Sequence, residues 1–191
     1  MHKLPFAALL MLALTGPAQA FDCSADSWWG RKCLRIKEVS QTGKHDLYLP
    51  FYAYHGRDTY SSERLEQFNE NAFGVGFGRS LVTDRGRFPD DWDGIYVMGF
   101  RDSHRDLQWM GGYAYQTYLG TETFNFGIGY TAALTSRKDI ANGFPVPLLL
   151  PMASINYRDF SLMASYVPRI SGNKGNGDVL FLFGHYSFDE K

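Results

Sequence analysis

Two stretches of this chain alternate large and small side chains without a break. Phe73-Gly74-Val75-Gly76-Phe77-Gly78 and Phe124-Asn125-Phe126-Gly127-Ile128-Gly129-Tyr130 put bulk on one face of an extended segment and Gly or Asn on the other. A period of two belongs to a β-strand, whose successive side chains point to opposite faces. A soluble barrel would hold its bulk inside and show polar groups outside. Here the large apolar set is what a lipid-facing exterior shows, with small residues leaving room within.

The same period recurs from Asp46 onward. Eight strands are predicted near residues 46–55, 71–82, 93–102, 108–118, 123–134, 146–157, 159–168 and 178–188. No segment after the N-terminal stretch approaches the roughly 20 apolar residues of a membrane helix. Two folds remain, a soluble exported protein or a closed barrel with every backbone group paired. The aromatic fraction of 16%, with 20 Gly, suits twisted strands and interfacial girdles. The expected fold is therefore all-β, an eight-stranded antiparallel transmembrane β-barrel. Some strands are apolar on both faces, among them Val179-Leu180-Phe181-Leu182-Phe183, so the lumen is partly greasy. Such a lumen holds either one acyl-sized ligand or its own packed side chains.

At 191 residues the chain has the length of one domain, and its net charge of −1 gives no basic face for nucleic acid. His2-Lys3, the apolar run Phe6 to Leu14 and Ala18-Gln19-Ala20 predict a signal peptide over residues 1–20. Residues 21–45 form an N-terminal region in which Trp29, Cys33 and Ile36 recur at helical spacing among Arg31, Lys32, Arg35 and Lys37. That is a basic amphipathic helix over Ser27 to Val39, fit for a membrane surface or for packing on a soluble domain. The barrel occupies residues 46–191. Cys23 and Cys33 are an expected disulfide if the chain near Cys23 folds back, because ten residues of continuous helix would rise about 15 Å. No His or Cys has the spacing of a metal site, and no cofactor is expected.

Strand parity orients the molecule. The fourth and sixth connections are tight, with Arg158-Asp159 the shortest, and most odd-numbered connections are longer and polar. Short turns face the periplasm and long loops the outside. The connection around Thr83 to Trp92 breaks the pattern. With the N-terminus inside, the first strand ends outside at His55 and the third at Asp102-Ser103. One external rim thus collects a base, a carboxylate and a hydroxyl. The outer connections also carry Arg57, Arg64, Arg105, Arg137, Lys138, Arg169 and Lys174, which suit phosphates or ordinary solvation.

At these residues the chain resembles the outer-membrane lipid A palmitoyltransferases (PagP). The shared pieces are Asp46-Leu47-Tyr48-Leu49-Pro50 leading to Tyr54-His55, Asn69-Glu70, Phe100-Arg101-Asp102-Ser103, Gly112-Tyr113 and Thr135-Ser136-Arg137. Pro145 to Ser154 and Tyr166-Val167-Pro168 complete them. The resemblance implies an enzyme of the Gram-negative outer membrane, its site facing the outer surface. It would move a fatty acyl chain from a glycerophospholipid to the hydroxyacyl chain of lipid A, as a monomer or homodimer. It also implies His55, Asp102 and Ser103 as catalytic residues, with Arg137 and Ala114 contacting substrate. Pro151 and Pro168 match one lateral opening to the bilayer. Pro50 matches a second, whose partner position holds Ala72. Where the family's pocket floor is Gly, this chain has Ala114, which predicts an acyl preference shifted below palmitate.

The chemistry of each residue follows separately. His55 is the expected base for the acceptor hydroxyl, Asp102 its orienting or balancing charge, and Ser103 a nucleophile or an oxyanion donor. With no Gly-x-Ser-x-Gly elbow, direct transfer is favoured over an acyl-enzyme. His104 is a rival for His55. The alternative function is a non-catalytic outer-membrane barrel with a structural or surface role; a soluble lipid carrier conflicts with the Phe/Gly alternation.

Overall fold

The computed structural model describes residues 23, 26–83, 90–139, 141–169 and 177–188. The expected signal peptide, Lys174 and the tail Asp189-Glu190-Lys191 lie outside them. An N-terminal helix α1 (Trp28–Thr42) precedes β1 (Lys44–His55), a short helix α2 (Ser62–Leu65), β2 (Gly74–Thr83), β3 (Asp90–Arg101) and β4 (Leu107–Gly120). Then follow β5 (Phe124–Ser136), a 3-10 turn (Ala141–Gly143), β6 (Val146–Tyr157), β7 (Phe160–Val167) and β8 (Val179–Phe188). No described helix is long and apolar enough to cross a membrane.

The first unit of the chain, up to Arg35, contains a disulfide between Cys23 and Cys33, whose Cα atoms are 5.4 Å apart. Ser27 begins α1, its Oγ accepting from the Gly30 N–H at 2.9 Å and its carbonyl from Arg31 N–H at 3.0 Å. These contacts satisfy donors that a helix start leaves without partners. The helix runs three residues past the expected Val39, and Ser40 and Thr42 return their hydroxyls to the Lys37 and Glu38 carbonyls in its last turn.

The second unit, from Ile36, contains the barrel. Neighbouring strands pair antiparallel in chain order and β1 closes on β8, which abolishes edges. The alternation sorts as its chemistry demands: Phe73, Val75, Phe77, Phe126 and Ile128 stand outside, whereas Gly76, Ser80, Asn125 and Gly127 turn inward. Gly76 is inward because nothing larger fits; a Cβ there would lie 2.4 Å from the Met98 Cβ.

Two ladders are incomplete, both in the half of the barrel nearest His55. β1 pairs with β2 only from Lys44 to Tyr48. Beyond it, the backbone–backbone bonds across the gap among the described residues are Ala53 N–H to Glu70 O at 2.8 Å and Ala72 N–H to Phe51 O at 3.2 Å. The latter bond uses an N–H that a proline would lack. β6 and β7 pair only from Met152 to Tyr157, so the ladder stops next to Pro151. Prolines belong where pairing is interrupted.

The β1–β8 register shifts between Pro50 and Tyr52. Before that bulge Asp46, Tyr48 and Pro50 are buried; after it His55 is, and Tyr54 faces out. One extra residue exchanges the two faces of a strand. Without the bulge, the parity of Asp46 and Tyr48 would carry His55 to the exterior.

Candidate active site

Three segments meet above the open ends of β1 and β3. His55 closes β1 and is 1% exposed, its ring packed on Phe68 (centroids 4.6 Å apart) and Tyr60 (5.5 Å). Gly56 follows because the chain passes against Asp178: Gly56 N–H donates to the Asp178 carbonyl at 3.0 Å, and a Cβ at Gly56 would lie 2.1 Å from its carboxylate. The Asp178 carboxylate accepts the Thr59 hydroxyl at 2.5 Å and so ties the first outer loop to the start of β8.

From β3, Ser103 brings its Oγ to 2.8 Å from His55 Nε2. A base and a hydroxyl at that separation meet the geometric requirement for proton transfer. Strand parity had placed both residues on one rim, and the bulge turns His55 inward so that they meet. The half-exposed ring of His104 lies 3.8 Å from Asp139 and edge-on to Phe68.

Asp102 is held by its own loop. Its Oδ1 accepts the backbone N–H groups of His104 at 2.8 Å and Asp106 at 2.9 Å, and its Oδ2 lies 3.9 Å from Arg137 Nε. Among the described residues it makes no hydrogen bond or ion pair with His55. An aspartate at the head of a tight loop is captured by its own backbone, as Asx turns are. The group that does face the far side of the imidazole is Glu70, with Oε1 3.6 Å from His55 Nδ1. No signal in the sequence marked Glu70 beyond its place in a shared motif, since it lies in an irregular loop.

The outer cations are mostly engaged. Arg57 holds Glu70, Arg137 holds Asp139 at 2.9–3.0 Å, and Lys138 is bonded to Asp106. Arg137 nonetheless borders the cavity below the rim. That cavity, about 120 Å³, begins at Asp102, Ser103, Gln108 and Arg137 and continues between Ala53, Phe100, Met110, Leu148, Leu150 and Phe181. Ala114 is fully buried but lies beneath the cavity, four positions past Met110 on β4, roughly 13 Å along the strand. Met98, Met152 and Met163 are buried with Met110 in the same apolar cluster as Ala114.

Residues 35–185 match the family model described as antimicrobial peptide resistance and lipid A acylation protein PagP. The chain belongs to this family. Relatives carry the name lipid A acyltransferase PagP. That of Bordetella bronchiseptica is 44% identical over 186 residues, covering 96% of this chain and 98% of the relative. That of Methylobacillus flagellatus is 42% identical over 168 residues (87% and 88%), and that of Legionella longbeachae 40% over 161 residues (83% and 67%). The PagP match spans His55, Glu70, Asp102, Ser103, Ala114 and Arg137, and leaves Cys23 and Cys33 outside it.

Proposed function

We propose that this chain is a lipid A acyltransferase of the outer membrane, with its rim site at the outer surface and a glycerophospholipid as donor. One observation carries the reading: Ser103, whose Oγ lies 2.8 Å from Nε2 of the buried His55, lines the mouth of a cavity that continues between apolar side chains. The donor's acyl chain lies in that cavity and its ester carbonyl lies at Ser103. The chain enters between β6 and β7, where Pro151 and Pro168 border unpaired backbone. The β1–β2 crevice beside Pro50 is crossed by the Ala72 N–H, which donates to the Phe51 carbonyl.

In direct transfer, His55 Nε2 takes the proton of the lipid A hydroxyl as its oxygen attacks the ester carbonyl. The tetrahedral intermediate then expels the lysophospholipid alkoxide, which recovers the proton from His55. Ser103 O–H hydrogen-bonds the oxyanion in this route. The Ser103–His55 contact equally favours a second reading, in which Ser103 first takes the acyl group and the lipid A hydroxyl then receives it. Enzyme mixed with phospholipid alone separates them: a burst of lysophospholipid with an acyl adduct on Ser103 supports the covalent route, and its absence supports the direct one. The function itself is tested by lipid A mass spectra from cells with and without the chain. No added acyl group, or an added group that survives His55→Ala, would overturn it.

Chain length is set deeper. Methionine side chains have three rotatable bonds and yield to a guest, so Met98 and Met110 part and the acyl end stops at Ala114. Ala114→Gly removes one methyl group, and one misfitted methylene is worth about 1–3 kcal/mol. Assayed with phospholipids of defined length, Ala114→Gly should move the optimum to longer chains. A wild-type preference for palmitate that the substitution leaves unchanged sinks the idea.

A further inference from the structure

His55 can accept a proton at Nε2 only when its own ring proton sits on Nδ1. That nitrogen is buried and, among the described residues, has no hydrogen-bond partner within ordinary range. Across from it, 3.6 Å away, is Glu70 Oε1. A buried donor without a partner is costly, and the nearest acceptor is a carboxylate that a shift of a few tenths of an ångström would bring into range.

The carboxylate is held from three directions. Tyr52 donates its hydroxyl at 2.6 Å, Arg57 offers both terminal nitrogens at 2.9 Å, and the His55 backbone N–H donates at 3.2 Å. The preceding residue binds the other partner: Asn69 N–H donates to the Ser103 carbonyl at 2.8 Å, and Asn69 Nδ2 to the Asp102 carbonyl at 3.3 Å. The dipeptide Asn69-Glu70 thus joins the segment that carries the base to the segment that carries the hydroxyl. Asp102, engaged with its own loop, leaves this place to Glu70.

We infer that Glu70 is the positioning carboxylate of the site. It fixes the His55 ring with the proton on Nδ1 and balances the imidazolium that forms when the acceptor hydroxyl is deprotonated. The inference rests on His55 being the base. Holding an imidazole in one tautomer by a carboxylate at Nδ1 leaves the opposite nitrogen free for the reacting proton, which is the general logic of hydrolytic triads.

Glu70→Gln, Glu70→Asp and Glu70→Ala, compared in detergent with defined phospholipid and lipid A, test it. Glu70→Gln should lower kcat by about tenfold or more with KM for phospholipid changed less than about twofold. Glu70→Asp should recover most of the loss. Nitrogen-15 NMR of labelled histidine should show the His55 proton on Nδ1 in wild type and transferred largely to Nε2 in Glu70→Ala. A merely structural Glu70 would not move the tautomer or spare KM. Wild-type kcat in Glu70→Gln, or an unchanged tautomer in Glu70→Ala, overturns the inference. If Glu70→Ala does not fold, Glu70→Gln decides by the same readings. His55→Ala, run alongside, separates the two failures: an active His55→Ala defeats the proposed function, whereas an inactive one beside fully active Glu70 variants defeats only the inference.

Discussion

Both ends of the lumen contain a buried histidine between a serine hydroxyl and a carboxylate, and they differ in the cavity beside them. At the rim His55 meets Ser103 at 2.8 Å and Glu70 at 3.6 Å. At the opposite end His185 lies 3.4 Å from Ser161 Oγ and 3.2 Å from Asp46. The surroundings differ. Asp46 also accepts the hydroxyls of Ser187 at 2.6 Å and Tyr48 at 3.4 Å, and His185 packs on the rings of Tyr48 and Trp92. Asn125, Asn156 and Ser161 line the same polar chamber, about 300 Å³. His55 instead stands above a slot walled by Phe100, Met110, Leu150 and Phe181. The same groups thus stand beside an apolar slot at one end and inside a network of polar side chains at the other, and the proposed function assigns chemistry only to the first.

Exchanging the two histidines for alanine breaks that comparison if it is wrong. His55→Ala should lower kcat by about 10²- to 10⁴-fold, the range of a lost general base, with little change in unfolding. His185→Ala should leave the activity of folded protein within about twofold and cost about 1–3 kcal/mol of stability, since it removes one polar partner of the buried Asp46 carboxylate. Unfolding in denaturant and lipid A acylation measured on both variants give the answer. A His185→Ala protein that is stable but inactive would assign chemistry to the wrong end.

Asp102→Asn has the next largest effect. The amide keeps an acceptor for the loop but loses the charge facing Arg137 and strengthens neither backbone bond. Charged hydrogen bonds contribute about 1.5–3 kcal/mol, so activity should fall about tenfold through disorder at Ser103. The His55 tautomer should stay as in wild type. A changed tautomer would return Asp102 to the role that the sequence suggested for it.

The contrast between the two ends also explains what was legible beforehand. Period-two alternation located all eight strands within a few residues of their bounds, because one face touches a uniform apolar surround and the other does not. Parity placed His55 and Ser103 on one rim, because antiparallel connection is a counting rule. Neither rule sees a bulge, so the inward turn of His55 was not readable; it depends on the register slip between Pro50 and Tyr52. Glu70 was hidden for a related reason. It reaches His55 from an irregular loop across the place where the β1–β2 ladder has opened, and loop geometry has no period. The His185 network was equally silent, its members being scattered over β1, β7 and β8.

The smallest effect is a pH window at the rim. Partial burial pushes the Glu70 carboxyl upward, but the hydrogen bonds from Arg57, Tyr52 and the His55 N–H, with the charge of Arg57, bring it down to about 2. An unfolded glutamate titrates near 4.3. A group whose folded value is depressed contributes stability above its unfolded value and loses it as pH falls toward the folded one. The Glu70 contacts should therefore be complete from pH 7 down to about 5 and weaken between about pH 4.3 and 2. Hydrogen exchange of the His55 amide, which donates to Glu70, reports this directly. Wild type should lose protection in that window, and Glu70→Gln, which has no charge to lose, should show no step there. A step above pH 5 in both proteins would mean that a different group controls the order of the rim.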